Sequence, residues 1–204
     1  MSKRVHRVHE ADAFLLQAIA WSETSLITTL LTRDHGLIAG IAKGAKRPYS
    51  VMRPILSHFQ PLQISWSGQA EVKTITRAEL AGLITMAPRY MMSGWYMNEL
   101  LLRCLAKEDP HPYLYDEYHL ALRLLSQGLD ERVVLRRFEW FLLKEIGYGF
   151  DQAQPDFNNL QQEAALRRML RERLDELLEQ KELATRQVVQ SLKTLSQAQL
   201  GQES

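Results

Sequence analysis

The sequence predicts an α+β chain in which five short strands close a small barrel and a helical domain follows. Two observations carry that prediction. Residues 1–80 alternate or run apolar over short stretches broken by turn residues, and from Pro88 onward apolar residues recur at helical spacing. The composition is that of an ordinary globular protein, with 204 residues, 46% hydrophobic and 24% charged, enough for one large domain or two small ones.

Strands are expected at 14–20, 25–32, 36–42, 55–66 and 71–76, with Asp34-His35-Gly36 and Ser67-Gly68 supplying turns. Five strands in one compact run suggest an oligonucleotide-binding (OB) barrel, although strand number alone does not separate it from an SH3-like barrel. The division is expected between Leu80 and Pro88. Residues 1–82 then form the barrel domain, with 1–11 as a mobile tail, and residues 83–204 the helical domain, with 196–204 frayed.

The first helix should begin near Pro88 and end before Asp109-Pro110, burying Met91, Trp95, Leu102 and Leu105. A second stripe of Leu114, Tyr118, Ala121, Leu122 and Leu125 is closed by Gly128. In the third helix, 130–146, Val134, Leu135, Phe138, Phe141, Leu142 and Ile146 share one broad face. Its opposite side interleaves Val133, Trp140 and Leu143 with Arg132, Arg136, Arg137 and Lys144, so the helix must be buried on two sides or offer surface to a partner. Asn158 or Asn159 can cap a fourth helix to about Gln180, and a fifth could span 185–195.

The net charge of +1 hides an uneven distribution. Residues 1–80 hold ten Lys and Arg against six Asp and Glu, whereas 81–204 hold fifteen against eighteen. Lys43, Lys46, Arg47 and Arg53 fall in a stretch without an acid, a patch able to attract phosphates. Solvated loop charge is the ordinary explanation of such a run.

No apolar run approaches the roughly 20 residues of a membrane span, and no apolar stretch follows the basic N-terminus, so a cytoplasmic protein without membrane contact is expected. The single Cys104 excludes an internal disulfide and a cysteine-cluster zinc site. Phosphate-loop, dinucleotide, zinc-hydrolase and serine-hydrolase signatures are missing. His6 and His9 lack a third ligand nearby, and His111 and His119 flank Asp116 and Glu117 on an otherwise apolar-faced helix. No catalytic residue, metal or cofactor is expected, and a non-enzymatic role follows.

In its order of motifs the chain resembles the RecO family of recombination-repair proteins, over roughly residues 12–195. Trp21-Ser22-Glu23-Thr24-Ser25 resembles the family's aromatic-S-E-x-S segment, with Thr32 and Gly36 following at suitable spacing. Ala42-Lys43-Gly44-Ala45-Lys46-Arg47 is the most specific match. Glu71-Val72-Lys73-Thr74, Ala78-Glu79, Asn98-Glu99-Leu100-Leu101, Leu135-Arg136-Arg137-Phe138-Glu139 and Gly147-Tyr148-Gly149 continue the pattern, as does Lys181-Glu182-Leu183-Ala184-Thr185-Arg186. The chain departs from the family in lacking the zinc-binding cysteine pairs of some members, in a shorter C-terminal part, and in His58, where proline is frequent.

The resemblance implies an OB domain and a helical domain that bind single- and double-stranded DNA, anneal complementary strands, and with RecR help load RecA on strands coated by single-stranded-DNA-binding protein (SSB). Lys43, Lys46, Arg47 and Arg53 are the first candidates for phosphate contacts, with Arg33, Lys73 and Arg77 behind them and Gly44 permitting close backbone approach. Tyr49 is a stacking candidate, whereas Trp21 and Trp66 read as core or barrel-rim residues. For the acidic SSB C-terminal tail, Arg136 or Arg137 would pair the carboxylate while Phe138, Trp140 or Leu143 line a cavity, unless those arginines pair within the chain. An adaptor binding only proteins, without a mediator role, and a cryptic nuclease are the competing readings.

Overall fold

In the computed structural model, which describes residues 6–159 and 161–178, five strands come first: β1 (Arg7–Trp21), β2 (Ser25–Thr32), β3 (Gly36–Ala42), β4 (Pro61–Ser67) and β5 (Val72–Leu80). They close in the order β1-β2-β3-β5-β4, antiparallel at every seam except β3 against β5. Five strands closed by that parallel seam make an OB barrel, and the SH3-like alternative falls away.

Two expected boundaries shift. Residues 7–11, placed in a mobile tail, extend β1 instead, with Arg7 opposite Ser67 and Val8 opposite Trp66. The expected strand 55–66 begins only at Pro61, because one helical turn, α1 (Met52–Ile55), and a bend precede it. Within that bend Phe59 holds φ +67°, outside the extended region that a regular strand requires.

Strand alternation explains why the barrel sequence runs apolar on both parities. In β1, Ala13 and Leu15 point into the barrel while Phe14 and Leu16 join a second core built with the helices. Leu30 and Leu31 divide the same way in β2, and Ile38 and Leu37 in β3. These strands are therefore buried on both faces, and the helical domain covers one side of the barrel rather than standing apart from it.

A 3-10 turn (Pro88–Tyr90) leads into α2 (Met91–Cys104), followed by α3 (Pro112–Ser126), α4 (Glu131–Glu145) and α5 (Glu163–Leu177). The buried side of α2 is only partly the expected one: Leu105 is buried and Trp95 and Leu102 pack against the core, but Met91 is exposed, and Ser93, Gly94, Met97, Asn98, Leu100 and Leu101 face inward. Asn98 is the hinge of that arrangement. Its amide donates to the Leu16 carbonyl at 3.1 Å and accepts from the Tyr118 hydroxyl, tying α2, β1 and α3 together with its polar groups satisfied. Phe14 completes the junction, its ring 5.2 Å from Tyr115 and 5.1 Å edge-on from Tyr118.

The α2–α3 link straps the barrel from outside. Glu108 N–H donates to the Leu37 carbonyl at 3.0 Å, and a Cβ on Gly36 would lie 2.2 Å from the Asp109 carbonyl oxygen, so only glycine fits that approach. Helix α4 packs between α3 and α5, which accounts for its two apolar sides. Helix α5 begins at Glu163, later than Asn158 or Asn159, because the Asn159 side chain instead accepts from Gln161 N–H in a turn. The expected end of that helix at Gln180, the helix at 185–195 and the frayed segment 196–204 lie outside the described residues.

Two histidines sit at this junction. His58 lies 4.3 Å from the Trp95 ring with Nδ1 3.2 Å from the Leu15 carbonyl, and His119 packs 5.3 Å from Phe14. Burial holds both below the ordinary value of 6.5. A neutral folded histidine becomes a proton acceptor on unfolding, so its contribution to stability is complete above pH 6.5 and is lost as pH falls below it. We expect the urea unfolding midpoint to fall progressively below that pH, and less steeply in His58→Phe. A midpoint that stays flat into the acid range would contradict the assignment.

Candidate nucleic-acid interface

The segment between β3 and α1 is an ordered loop rather than a floppy charge run. Ala45 is fully buried in the barrel core and anchors it. Backbone bonds Arg47 N–H to Gly44 O (3.1 Å) and Ser50 N–H to Arg47 O (3.1 Å) wind it into successive turns. Gly44 holds φ +72°, while a Cβ there would meet only the Arg47 side chain at 3.7 Å, so glycine is needed for backbone conformation and not for space.

Lys46 clamps this loop to the β1–β2 turn. Its backbone N–H donates to Thr24 O at 2.9 Å, and its ammonium donates to Ser22 O at 3.1 Å. Loop and hairpin tip thereby form one surface. On it Lys43, Arg47 and Tyr49 are exposed, Tyr49 almost completely at 99%, and Lys46 is half-buried; Arg53 is exposed on α1, which follows directly. Among the described residues, none of these four cations has a carboxylate within ion-pairing distance.

The secondary candidates are placed differently. Arg33 forms a two-pronged pair with Asp116 on α3, at 2.9 and 3.0 Å. Lys73 is buried and donates to Glu108 at 2.6 Å and to Ala70 O at 2.9 Å, beside a cleft of about 450 Å³ that Trp66 and His35 help line. Arg77 is exposed but meets Glu79 at 2.7 Å and Glu10 at 3.6 Å. A cation already paired with a neighbour brings less net charge to a phosphate, which keeps these three behind the loop cations as candidates.

The pocket expected on the third helix is likewise interior. Phe138, Trp140 and Leu143 are buried, with Trp140 stacked 5.3 Å from Phe150. Arg136 is buried and donates to both Glu139 oxygens at 2.7 Å and to Glu163 at 3.2 Å. Arg137 is one-third exposed, held by Glu117 at 2.8 and 2.9 Å above the Phe141 ring. Of the two readings, the one in which the arginines pair within the chain describes Arg136, while Arg137 keeps partial exposure beside Glu117.

One residue was underrated in the sequence. Trp66 is core, but Trp21 is 55% exposed on the hairpin that Lys46 clamps. The cause is a β-bulge where the β1–β2 register shifts between Leu15 and Gln17. It reverses the parity of β1, so Ala18 packs on the barrel core while Ile19 and Trp21 turn outward. Among the described residues no cluster of three or more His, Cys, Asp or Glu is placed to hold a metal, and no helix is long and apolar enough to cross a membrane.

Comparison with known proteins gives a consistent likeness. Residues 6–84 match the family described as recombination protein O N terminal, and residues 88–155 that described as recombination protein O C terminal. The DNA repair protein RecO of Ralstonia nicotianae is 49% identical over 144 residues, covering 70% of this chain and 53% of the relative. That of Cupriavidus pinatubonensis is 48% identical over 149 residues, 72% of this chain and 51% of the relative. For Aromatoleum aromaticum the figures are 48% over 144 residues, 70% and 60%. The chain thus spans about half the length of the first two relatives and three-fifths of the third.

Proposed function

From the premise that the chain belongs to the recombination protein O (RecO) family of DNA repair proteins, we propose that it is a DNA-binding recombination mediator whose barrel edge holds phosphates through Lys43, Lys46, Arg47 and Arg53. The carrying observation is the clamped loop and the helical turn after it, which carry four cations without an ion-paired acid among the described residues, Lys46 being held to Ser22 O. Such a surface neutralises backbone charge from an ordered backbone, and its charges serve single and double strands alike. Holding two complementary strands on one protein also raises their local concentration, which is the physical basis of annealing.

In this reading the chain performs no covalent step. Its work with SSB-coated strands, with RecR and in loading RecA is part of the proposal, which family membership supports. Because Arg136, Phe138, Trp140 and Leu143 are buried, we place any contact with the SSB tail on another surface. The test is binding of labelled single strands and duplexes over a salt series, followed by annealing of complementary oligonucleotides. Affinity that falls linearly with log salt, together with accelerated annealing, is expected. Absence of binding at low salt would leave a protein-only adaptor, and cleavage on adding Mg²⁺ would indicate a nuclease.

A further inference from the structure

The basic loop carries a second chemistry beside charge. Trp21 immediately precedes Ser22, whose carbonyl takes the Lys46 ammonium, and Tyr49 lies three residues beyond Lys46 in the same loop. Trp21 is 55% exposed and Tyr49 99%, whereas Trp66 and Trp140 are buried, so exposure is particular to the tryptophan on this edge. Ser22 holds φ +55°, and the Lys46 bonds to Ser22 and Thr24 fix the turn that carries Trp21. Ile19, two residues back on the same outward face, is also exposed at 54%.

We propose that Trp21 and Tyr49 form a base-stacking pair that makes this edge prefer unpaired strands to duplex. The inference rests on the DNA-binding reading and adds to it a specificity. Lys43 and Arg47 meet phosphates, which both ligands present. Flat aromatic faces meet base faces, which a duplex hides by stacking its bases on one another and a single strand offers freely. Charge therefore sets affinity for either ligand, and the aromatic pair sets the difference between them.

The experiment compares wild type, Trp21→Ala, Tyr49→Ala, the double variant, Trp21→Phe and a Lys43→Glu/Arg47→Glu variant. Each is titrated with an oligothymidylate and with a hairpin duplex over a salt series, and folding is checked by circular dichroism. Each aromatic deletion is expected to weaken oligothymidylate binding roughly five- to a hundredfold, by the usual worth of one stacked base, with duplex affinity and salt slope unchanged. Oligothymidylate should quench tryptophan fluorescence in wild type, and the Trp21→Ala variant should lose that quenching. Trp21→Phe should recover part of the affinity.

Equal losses on both ligands, or no loss on either, overturn the stacking pair. The charge variant separates the two claims. If it abolishes binding of both ligands while the aromatic variants change neither, the phosphate reading stands and this inference fails. If it leaves binding intact while the aromatic variants still lose single strands, the reverse holds.

Discussion

Changing Lys43, Lys46 and Arg47 together to glutamate is expected to lower affinity for DNA by at least about tenfold and to flatten its salt dependence. Each phosphate contact contributes roughly 0.7 to the slope of log affinity against log salt on single strands and 0.9 on duplex, so three lost contacts lower it by about two and nearly three. The side chains are free to change, since among the described residues none of the three pairs with an acid. Lys46 does donate to Ser22 O, so a second variant keeps it and reverses Lys43, Arg47 and Arg53 instead. Arg33→Ala and Lys73→Ala serve as contrasts: both residues are engaged with carboxylates away from this loop, and their removal should leave the slope unchanged. A slope that responds to Lys73 and ignores Lys43 would move the interface to the cleft side of the barrel.

That contrast marks the limit of what charge in a sequence can say. Lys43 and Lys73 look alike as letters, and only the strap from α2 to α3, which brings Glu108 against Lys73, separates them. The basic loop was legible because four cations fall close together in a stretch without an acid, a local property of the chain. The neutralisation of Arg33 by Asp116 was not, because the partners lie 83 residues apart. Trp21 was obscured by another local accident. Strand parity counted from Leu15 gives the wrong face once the register shifts before Gln17, and a bulge leaves no reliable mark in composition.

The same logic holds for the fold. Strand positions in β2 and β3 follow directly from β-branched runs between turns, and the change of period at Pro88 separates barrel from helices. The centre of the buried face of α2 was missed because Asn98 sits there. A polar residue there breaks the apolar stripe, and its burial makes sense only with Leu16 O and the Tyr118 hydroxyl in place. Helix α4 posed the converse problem. Arg136 read either as open to a partner or as paired within the chain, and the structure pairs it with Glu139 in the interior.

Arg136→Ala is therefore expected to destabilise the protein by about 3–5 kcal/mol, the usual cost of removing one partner from a buried pair, rather than to disturb a peptide site selectively. Arg136 is 8% exposed in its side chain and Glu139 3%. Burial works against the guanidinium's charge, but attraction and hydrogen bonding to Glu139 outweigh it, and its pKa is raised. Without Arg136, the Glu139 carboxylate keeps the Tyr96 hydroxyl at 2.7 Å in place of a two-pronged cation, and Glu163 at the start of α5 loses its tie to α4. The urea midpoint of Arg136→Ala should fall steeply, and high salt should not reproduce the effect, because the pair is shielded from counterions. Arg136→Met combined with Glu139→Leu removes both charges while keeping volume, and should recover much of the loss. A loss of under about 1 kcal/mol, the range of exposed pairs, would show that the α5 side of this cluster opens to water and would return Arg136 to the candidates for binding a carboxylate.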